Sequence, residues 1–172
     1  MAERIPHEPL LNVEKIRPIM DRISLFGGLS DLQLHSVFPL LKSVRYRAGE
    51  TIFKQGDRPS YIYIVVSGKV RLAFDLQQHP LSETEFAPGA SFGETSVIGI
   101  QAHCASTIAV EDTELAAMSR EALMSIFAAD KELFGLLTLN IAREASRRLH
   151  RADALLVEYA RSQPCHLSSA AS

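Results

Sequence analysis

At 172 residues the chain holds one domain with a substantial core and little more. It is 47% hydrophobic and 22% charged, an ordinary globular balance, and a formal charge of −2 sets up no general field for nucleic acid or an anionic membrane. Two cysteines, Cys104 and Cys165, make neither a disulfide framework nor an all-cysteine zinc site, and the charged N-terminus lacks the apolar segment of a secretory signal. No apolar run reaches the roughly 18 residues of a membrane-spanning helix, so a cytoplasmic protein with no membrane partner is expected.

Residues 1–10 contain two prolines and read as an extended arm. Val13 to Ile23 can form a helix, with Pro18 placed to kink or split it. After Phe26-Gly27-Gly28, Ser30-Asp31 starts a second helix with Ser30 as its cap, and Leu32, Val37, Leu40 and Leu41 give that segment an apolar face interrupted by Pro39. From Val44 to Ala116 the pattern changes to short strands between turn residues. The expected strands are Val44–Arg47, Thr51–Phe53, Tyr61–Val66, Val70–Phe74, Leu81–Phe86, Ala105–Val110 and Glu114–Met118. Turns at Ala48-Gly49-Glu50, Gln55-Gly56-Asp57, Ser67-Gly68-Lys69 and Pro88-Gly89 separate them, a spacing that indicates a closed barrel or a jelly roll. Ser119 caps a helix over Arg120–Ala129, and a longer helix follows from Lys131 to about Ala160. Along it Phe134, Leu137, Ile141, Ala145, Leu149, Ala152, Leu156 and Tyr159 recur at steps of three or four, a coiled-coil-like stripe. Arg143, Arg147, Arg148 and Arg151, interleaved with Glu144 and Asp153, read as a solvated face. The polar tail after residue 161 reads as loose.

The stretch with most chemical content is Ser91-Phe92-Gly93-Glu94-Thr95-Ser96, answered nine residues after Glu94 by His103-Cys104-Ala105-Ser106. Gly93 lets backbone approach a ligand, the amides of Thr95 and Ser96 at a helix start suit a phosphate, and the Glu94 carboxylate suits a ribose hydroxyl. Cys104 reads as a small apolar strand residue rather than a reactive thiol. The six histidines show no metal-ligand spacing, and no triad, paired-carboxylate site or P-loop is visible, so no enzyme and no cofactor are expected.

In order and spacing, Leu25-Phe26-Gly27-Gly28-Leu29-Ser30, Ala48 to Asp57, Tyr61 to Val70 and Phe92-Gly93-Glu94 resemble the cyclic nucleotide-binding domain family, that of the bacterial catabolite activator protein and the kinase regulatory subunits. The resemblance covers about Leu25 to Leu156. It implies a mainly β fold with flanking helices, a β-barrel jelly roll followed by a long C-terminal helix. The implied parts are an arm and helix at 1–24, the barrel domain at 25–130, a dimerisation helix at 131–161 and a tail at 162–172. The family's Phe-Gly-Glu-Leu-Ala, then Pro-Arg-Ala-Ala-Thr, stands here as Phe92-Gly93-Glu94-Thr95-Ser96, then Ala102-His103-Cys104-Ala105-Ser106. The implied ligand is cyclic AMP or cyclic GMP, held by Phe92, Gly93, Glu94, Thr95, Ser96, His103, Cys104, Ala105 and Ser106. Arg148, Ala152 and Asp153 are the implied base-contacting positions.

The departure is His103, which stands where ligand-binding members carry the phosphate-pairing arginine. Histidine is single-pronged and largely neutral above about pH 6.5, whereas arginine offers a charged fork. Glu94 and His103 could pair with each other when no nucleotide is present, or a bound phosphate and Glu94 could keep His103 protonated. The expectation is a free-standing regulatory or sensor module, a homodimer through its last helix, with a downstream protein partner and weak nucleotide affinity. The alternative is a dimerisation or docking protein with a relic cassette. The few residues after the last helix leave no room for a winged helix-turn-helix, so direct sequence-specific DNA binding is not expected.

Overall fold

The computed structural model describes residues 8–9, 14, 16–73 and 84–162. Among the described residues, nine strands form two antiparallel sheets. They are β1 (Glu8–Pro9), β2 (Leu41–Tyr46), β3 (Thr51–Phe53), β4 (Tyr61–Ser67), β5 (Val70–Ala73), β6 (Thr84–Phe86), β7 (Ser91–Phe92), β8 (Ser106–Ala109) and β9 (Thr113–Ser119). The five-stranded sheet runs β1-β2-β9-β4-β7 and the four-stranded sheet β3-β8-β5-β6. Of the two forms expected from sequence this is the jelly roll, two sheets face to face rather than one closed ring.

Strand β4 explains the layering. Five consecutive residues, Ile62 to Val66, are buried, because both faces of the five-stranded sheet are covered. Ile62, Ile64 and Val66 join Leu41, Ala116 and Met118 in a core shared with the helices. Tyr63 and Val65 point the other way and join Val44, Phe53, Val70 and Leu115 between the sheets. A continuous apolar run is what a strand with two cores needs.

Among the described residues, four α-helices flank the sheets: α1 (Asp31–Val37), α2 (Glu94–Gly99), α3 (Arg120–Ala129) and α4 (Lys131–Ser162). Ser30 caps α1 in a full capping box: Gln33 N–H donates to Ser30 Oγ at 3.3 Å and Ser30 N–H to Gln33 Oε1 at 2.9 Å. Ser119 caps α3 as the sequence indicates. Helix α4 runs to Ser162, beyond the expected end, and the tail from residue 163 lies outside the described residues.

Two local expectations fail, and one strand is unanticipated. The segment from Val13 to Ile23 is not an α-helix where it is described. A 3-10 helix spans Arg17–Arg22 and a second spans Ser24–Phe26, with Ile23 extended between them. Pro18 in the first turn supplies no amide, and the extended Ile23 stops the ladder. Leu32 belongs to no core and is 82% exposed. Helix α1 has only seven residues, so its inward face is spent on Leu34 and Val37, and Leu41 already belongs to β2. Residues Ser91–Phe92, which open the motif and carry no expected strand, form strand β7 against Tyr63–Ile64.

Two residues bracket α2 in the left-handed region. Gly93, at φ 83°, precedes it; a Cβ there would lie 2.8 Å from the Tyr61 carbonyl oxygen, so both φ and space demand glycine. Ile100 follows it at φ 54°, the one non-glycine residue with positive φ among the described residues, and its amide closes the helix on the Ser96 carbonyl. A β-branched residue is strained there, and its side chain is 66% exposed, so it recovers little by burial. Ile100→Gly is expected to stabilise the protein by about 1 kcal/mol, strain relief exceeding the added unfolded-state entropy. Urea denaturation midpoints at unchanged slope check this.

Candidate functional site

The expected site residues do not share one environment. Phe92 is buried in a row of rings, with centroids 5.2 Å from Tyr63, 5.4 Å from Phe86 and 6.0 Å from Phe53. This row fixes the floor from which Gly93 and α2 depart. Ser96 is buried and Thr95 exposed on α2. Ala105 is buried, Ser106 accepts the Gln55 amide at 3.0 Å, and Cys104 is exposed in the bend before β8. Cys104 therefore does not fill the small apolar strand position expected of it, because β8 begins only at Ser106.

Glu94 opens α2 and is 1% exposed. Its partner is not His103. Arg148, from the fifth turn of α4 rather than from the cassette, donates Nη1 to Glu94 Oε1 at 2.6 Å and Nη2 to the Ser91 carbonyl. The Arg148 Nε donates to Glu144 Oε1 at 3.2 Å, and its guanidinium carbon lies 5.2 Å from the Phe86 ring centroid. Arg148 thus faces the cassette and is not part of a solvated basic face. Burial pushes the Glu94 carboxyl above its ordinary range; the Arg148 charge and the residue's own amide oppose this, and Glu144 adds to it. The second oxygen, Oε2, is buried with no hydrogen-bond partner among the described residues.

His103 is buried and lies flat on Phe53, with ring centroids 3.7 Å apart and planes 12° apart. Its backbone is clamped by the turn after β3: His103 N–H donates to Asp57 O at 2.9 Å and Gly56 N–H to His103 O at 2.8 Å. Burial lowers the imidazole pKa, and the Asp57 charge only partly offsets that. The ring is thus a neutral aromatic plate against Phe53, and the pairing of Glu94 with His103 envisaged from sequence does not occur.

Helix α4 reaches the cassette because its first half is anchored elsewhere. Asn140, buried, donates Nδ2 to the carbonyls of Leu25 at 3.1 Å and Gly27 at 2.8 Å, and Leu133, Leu137 and Ile141 enter the helical core. Of the other base-contact positions, Ala152 and Asp153 are exposed. At the opposite end of β4 and β9 a hollow of ≈ 540 Å³ opens by Ser67 and Thr113. Its acids are engaged, Asp112 by the Ala48 amide and Glu50 by the Arg47 amide. No group of three or more metal-ligating side chains occurs, and no helix is long and apolar enough to cross a membrane, among the described residues.

Residues 43–130, just over half of the chain, match the family model of the cyclic nucleotide-binding domain. The chain belongs to that family. Cyclic AMP receptor protein of Thermus thermophilus is 35% identical over 130 residues, covering 75% of this chain and 58% of that protein. A cAMP-dependent protein kinase regulatory subunit of Yarrowia lipolytica is 30% identical over 113 residues, covering 64% of this chain and 29% of its own length. A cyclic nucleotide-binding domain from Methylobacillus flagellatus superposes with a TM-score of 0.75 at 22% identity, covering 97% of this chain and 92% of that one. The chain thus spans less than two thirds of the full-length regulators it matches.

In this cyclic nucleotide-binding domain the buried Glu94 has Arg148 as its ion-pair partner at 2.6 Å. Removing one member of a buried pair leaves an uncompensated charge. With Arg148 27% exposed, Arg148→Met is expected to cost about 3 kcal/mol at pH 8, the lower end for buried pairs. Because the folded Glu94 pKa is raised, its protonated form stabilises the fold below the unfolded value, and that stability is lost as pH rises through the folded value. The deficit of the variant should therefore shrink as pH falls through the Glu94 transition. Adding Glu94→Gln should restore most of the loss at pH 8. Chemical denaturation at a series of pH values tests both.

Proposed function

We propose that this chain acts by binding, as a cytoplasmic regulatory module that takes cyclic AMP or cyclic GMP in its cassette, weakly, and transmits occupancy through α4. One observation carries this reading: Glu94 Oε2 is buried and lacks a hydrogen-bond partner among the described residues. An unmet buried acceptor costs about 1–3 kcal/mol, and a ribose hydroxyl donating to Oε2 while Arg148 keeps Oε1 would recover it. The phosphate would meet the amides at the start of α2, with Phe92, Gly93, Thr95, Ser96, His103, Cys104, Ala105 and Ser106 around it. His103 supplies no fork of charged donors. Its loss relative to arginine corresponds to about 1.5–3 kcal/mol, or roughly 10–150-fold in affinity.

A second reading has its own support. The His103 ring is packed on Phe53, and Glu94 already has a cationic partner, an arrangement suited to a cassette that only braces α4. The protein would then be a constitutive dimerisation or docking module for a downstream protein.

Titration calorimetry separates the two. Wild type is expected to bind cyclic AMP or cyclic GMP weakly, and His103→Arg roughly 10–150-fold more tightly. Absence of heat and of any thermal shift with both proteins would leave only the docking reading.

Dimerisation through 131–161 is part of both readings. The stripe is divided: Leu137 and Ile141 are buried in the chain's own core, whereas Leu149, Leu156 and Tyr159 are 64%, 64% and 60% exposed. A second copy would cover the exposed half, with Ala145 and Ala152 allowing close approach. Sedimentation at micromolar concentration should give a dimer, and Leu149→Glu with Leu156→Glu a folded monomer. A monomeric wild type sinks this part.

A further inference from the structure

We propose that Glu144 is a positioning residue of the cassette, acting through Arg148 to hold its guanidinium on Glu94 and tying that contact to the entry segment at Ser24. Arginine is long and rich in rotamers, and a 27% exposed guanidinium has water as an alternative partner. Something must aim it. Glu144 lies one turn earlier on α4 and takes the Nε hydrogen bond at 3.2 Å, which leaves Nη1 and Nη2 pointing at Glu94 and the Ser91 carbonyl.

Glu144 is itself fixed from two sides. Arg147 donates Nη2 at 2.6 Å and Nε at 3.1 Å to its Oε2, and Ser24 Oγ donates to the same oxygen at 3.4 Å. Burial works against ionisation here, yet the Arg147 hydrogen bond and the charges of Arg148 and Arg147 hold the Glu144 carboxyl below its ordinary value, so it is an anion. Ser24 starts the 3-10 turn whose next residues, Leu25 and Gly27, receive Asn140. The series Ser24–Glu144–Arg148–Glu94 therefore links the entry segment, α4 and the cassette through side chains.

Two effects of Glu144 on Glu94 have opposite sign, which makes the role testable. Its charge, acting through space, makes Glu94 harder to ionise; its grip on Arg148 makes Glu94 easier to ionise. The groups charged toward Glu94 are Arg148 and Glu144, and Arg148 is the stronger. The titration of the Glu94 side-chain carboxyl is followed by carbon-13 NMR in the full chain. Glu144→Gln removes the charge but keeps an oxygen for the Arg148 Nε, so the Glu94 midpoint should fall below wild type. Glu144→Ala removes both, frees the guanidinium, and should raise the midpoint above wild type. A midpoint at or below wild type in Glu144→Ala overturns the proposal, as does a rise in Glu144→Gln. The role matters for ligand binding only if Glu94 accepts the ligand's ribose hydroxyl, as proposed above. The measurement needs no nucleotide, so failure of nucleotide binding and failure of positioning are read separately.

Discussion

The burial of the Glu94 carboxylate is the constraint on which the arrangement of this domain turns. Withdrawing such a charge from water costs several kcal/mol after relaxation, so its position at the start of α2 requires a cation to be brought to it. The cassette supplies none: the segment leading into its returning strand offers His103, which is turned onto Phe53 and held neutral. The cation comes from α4, 54 residues away in sequence. The long helix is thereby fastened to the cassette by an electrostatic requirement as well as by packing. The 3-10 turn at Ser24–Phe26 is fastened in the same place, through Asn140 and Glu144.

That requirement can be met only because the cassette is rigidly placed. Strand β7 pairs with the middle of β4, Phe92 opposite Tyr63, and β4 is the strand buried on both faces. One side of β4 carries the aromatic row that sets Phe92, and hence Gly93 and Glu94. The other side carries Ile62, Ile64 and Val66, in the same apolar cluster as Leu133, Leu137 and Ile141 of α4, which itself packs on α3 and on the Ser24–Phe26 turn. The carboxylate is thus positioned from one face of β4, and the core on the other face includes the helix that neutralises it. Dense packing keeps both faces in register with each other.

Much of this was legible in the sequence, for reasons that are local. Glycine turns, alternating strands, the Ser30 and Ser119 caps and the apolar run of β4 each declare themselves within a few residues. The cassette was legible as a motif with a resemblance behind it. What could not be read is long-range or competitive. Arg148 lies beside Glu144 and Arg147 in a pattern that on its own describes a solvated i, i+4 network; only the fold brings Glu94 to it. His103 looked like a failed phosphate ligand or a partner for Glu94, because a sequence does not reveal that Phe53 offers its ring a better surface. Leu32 was assigned inward on a face that a seven-residue helix does not have room to present.

The apolar stripe of α4 shows how these levels meet. In sequence it is continuous from Phe134 to Tyr159, yet Leu137 and Ile141 are spent on the chain's own core and Leu149 and Leu156 are not. The change falls between them, in the turn containing Glu144 and Arg148. From Arg148 to Ser162 the helix extends roughly 21 Å at 1.5 Å per residue, with every residue after Arg148 exposed. A stiff rod held on one side of such a point moves most at its free end. Any displacement of α4 at the guanidinium would therefore be larger at the far end of its exposed half. The ion pair stands where the helix leaves the core, so one buried carboxylate and the start of the exposed half of α4 are joined by the same contact.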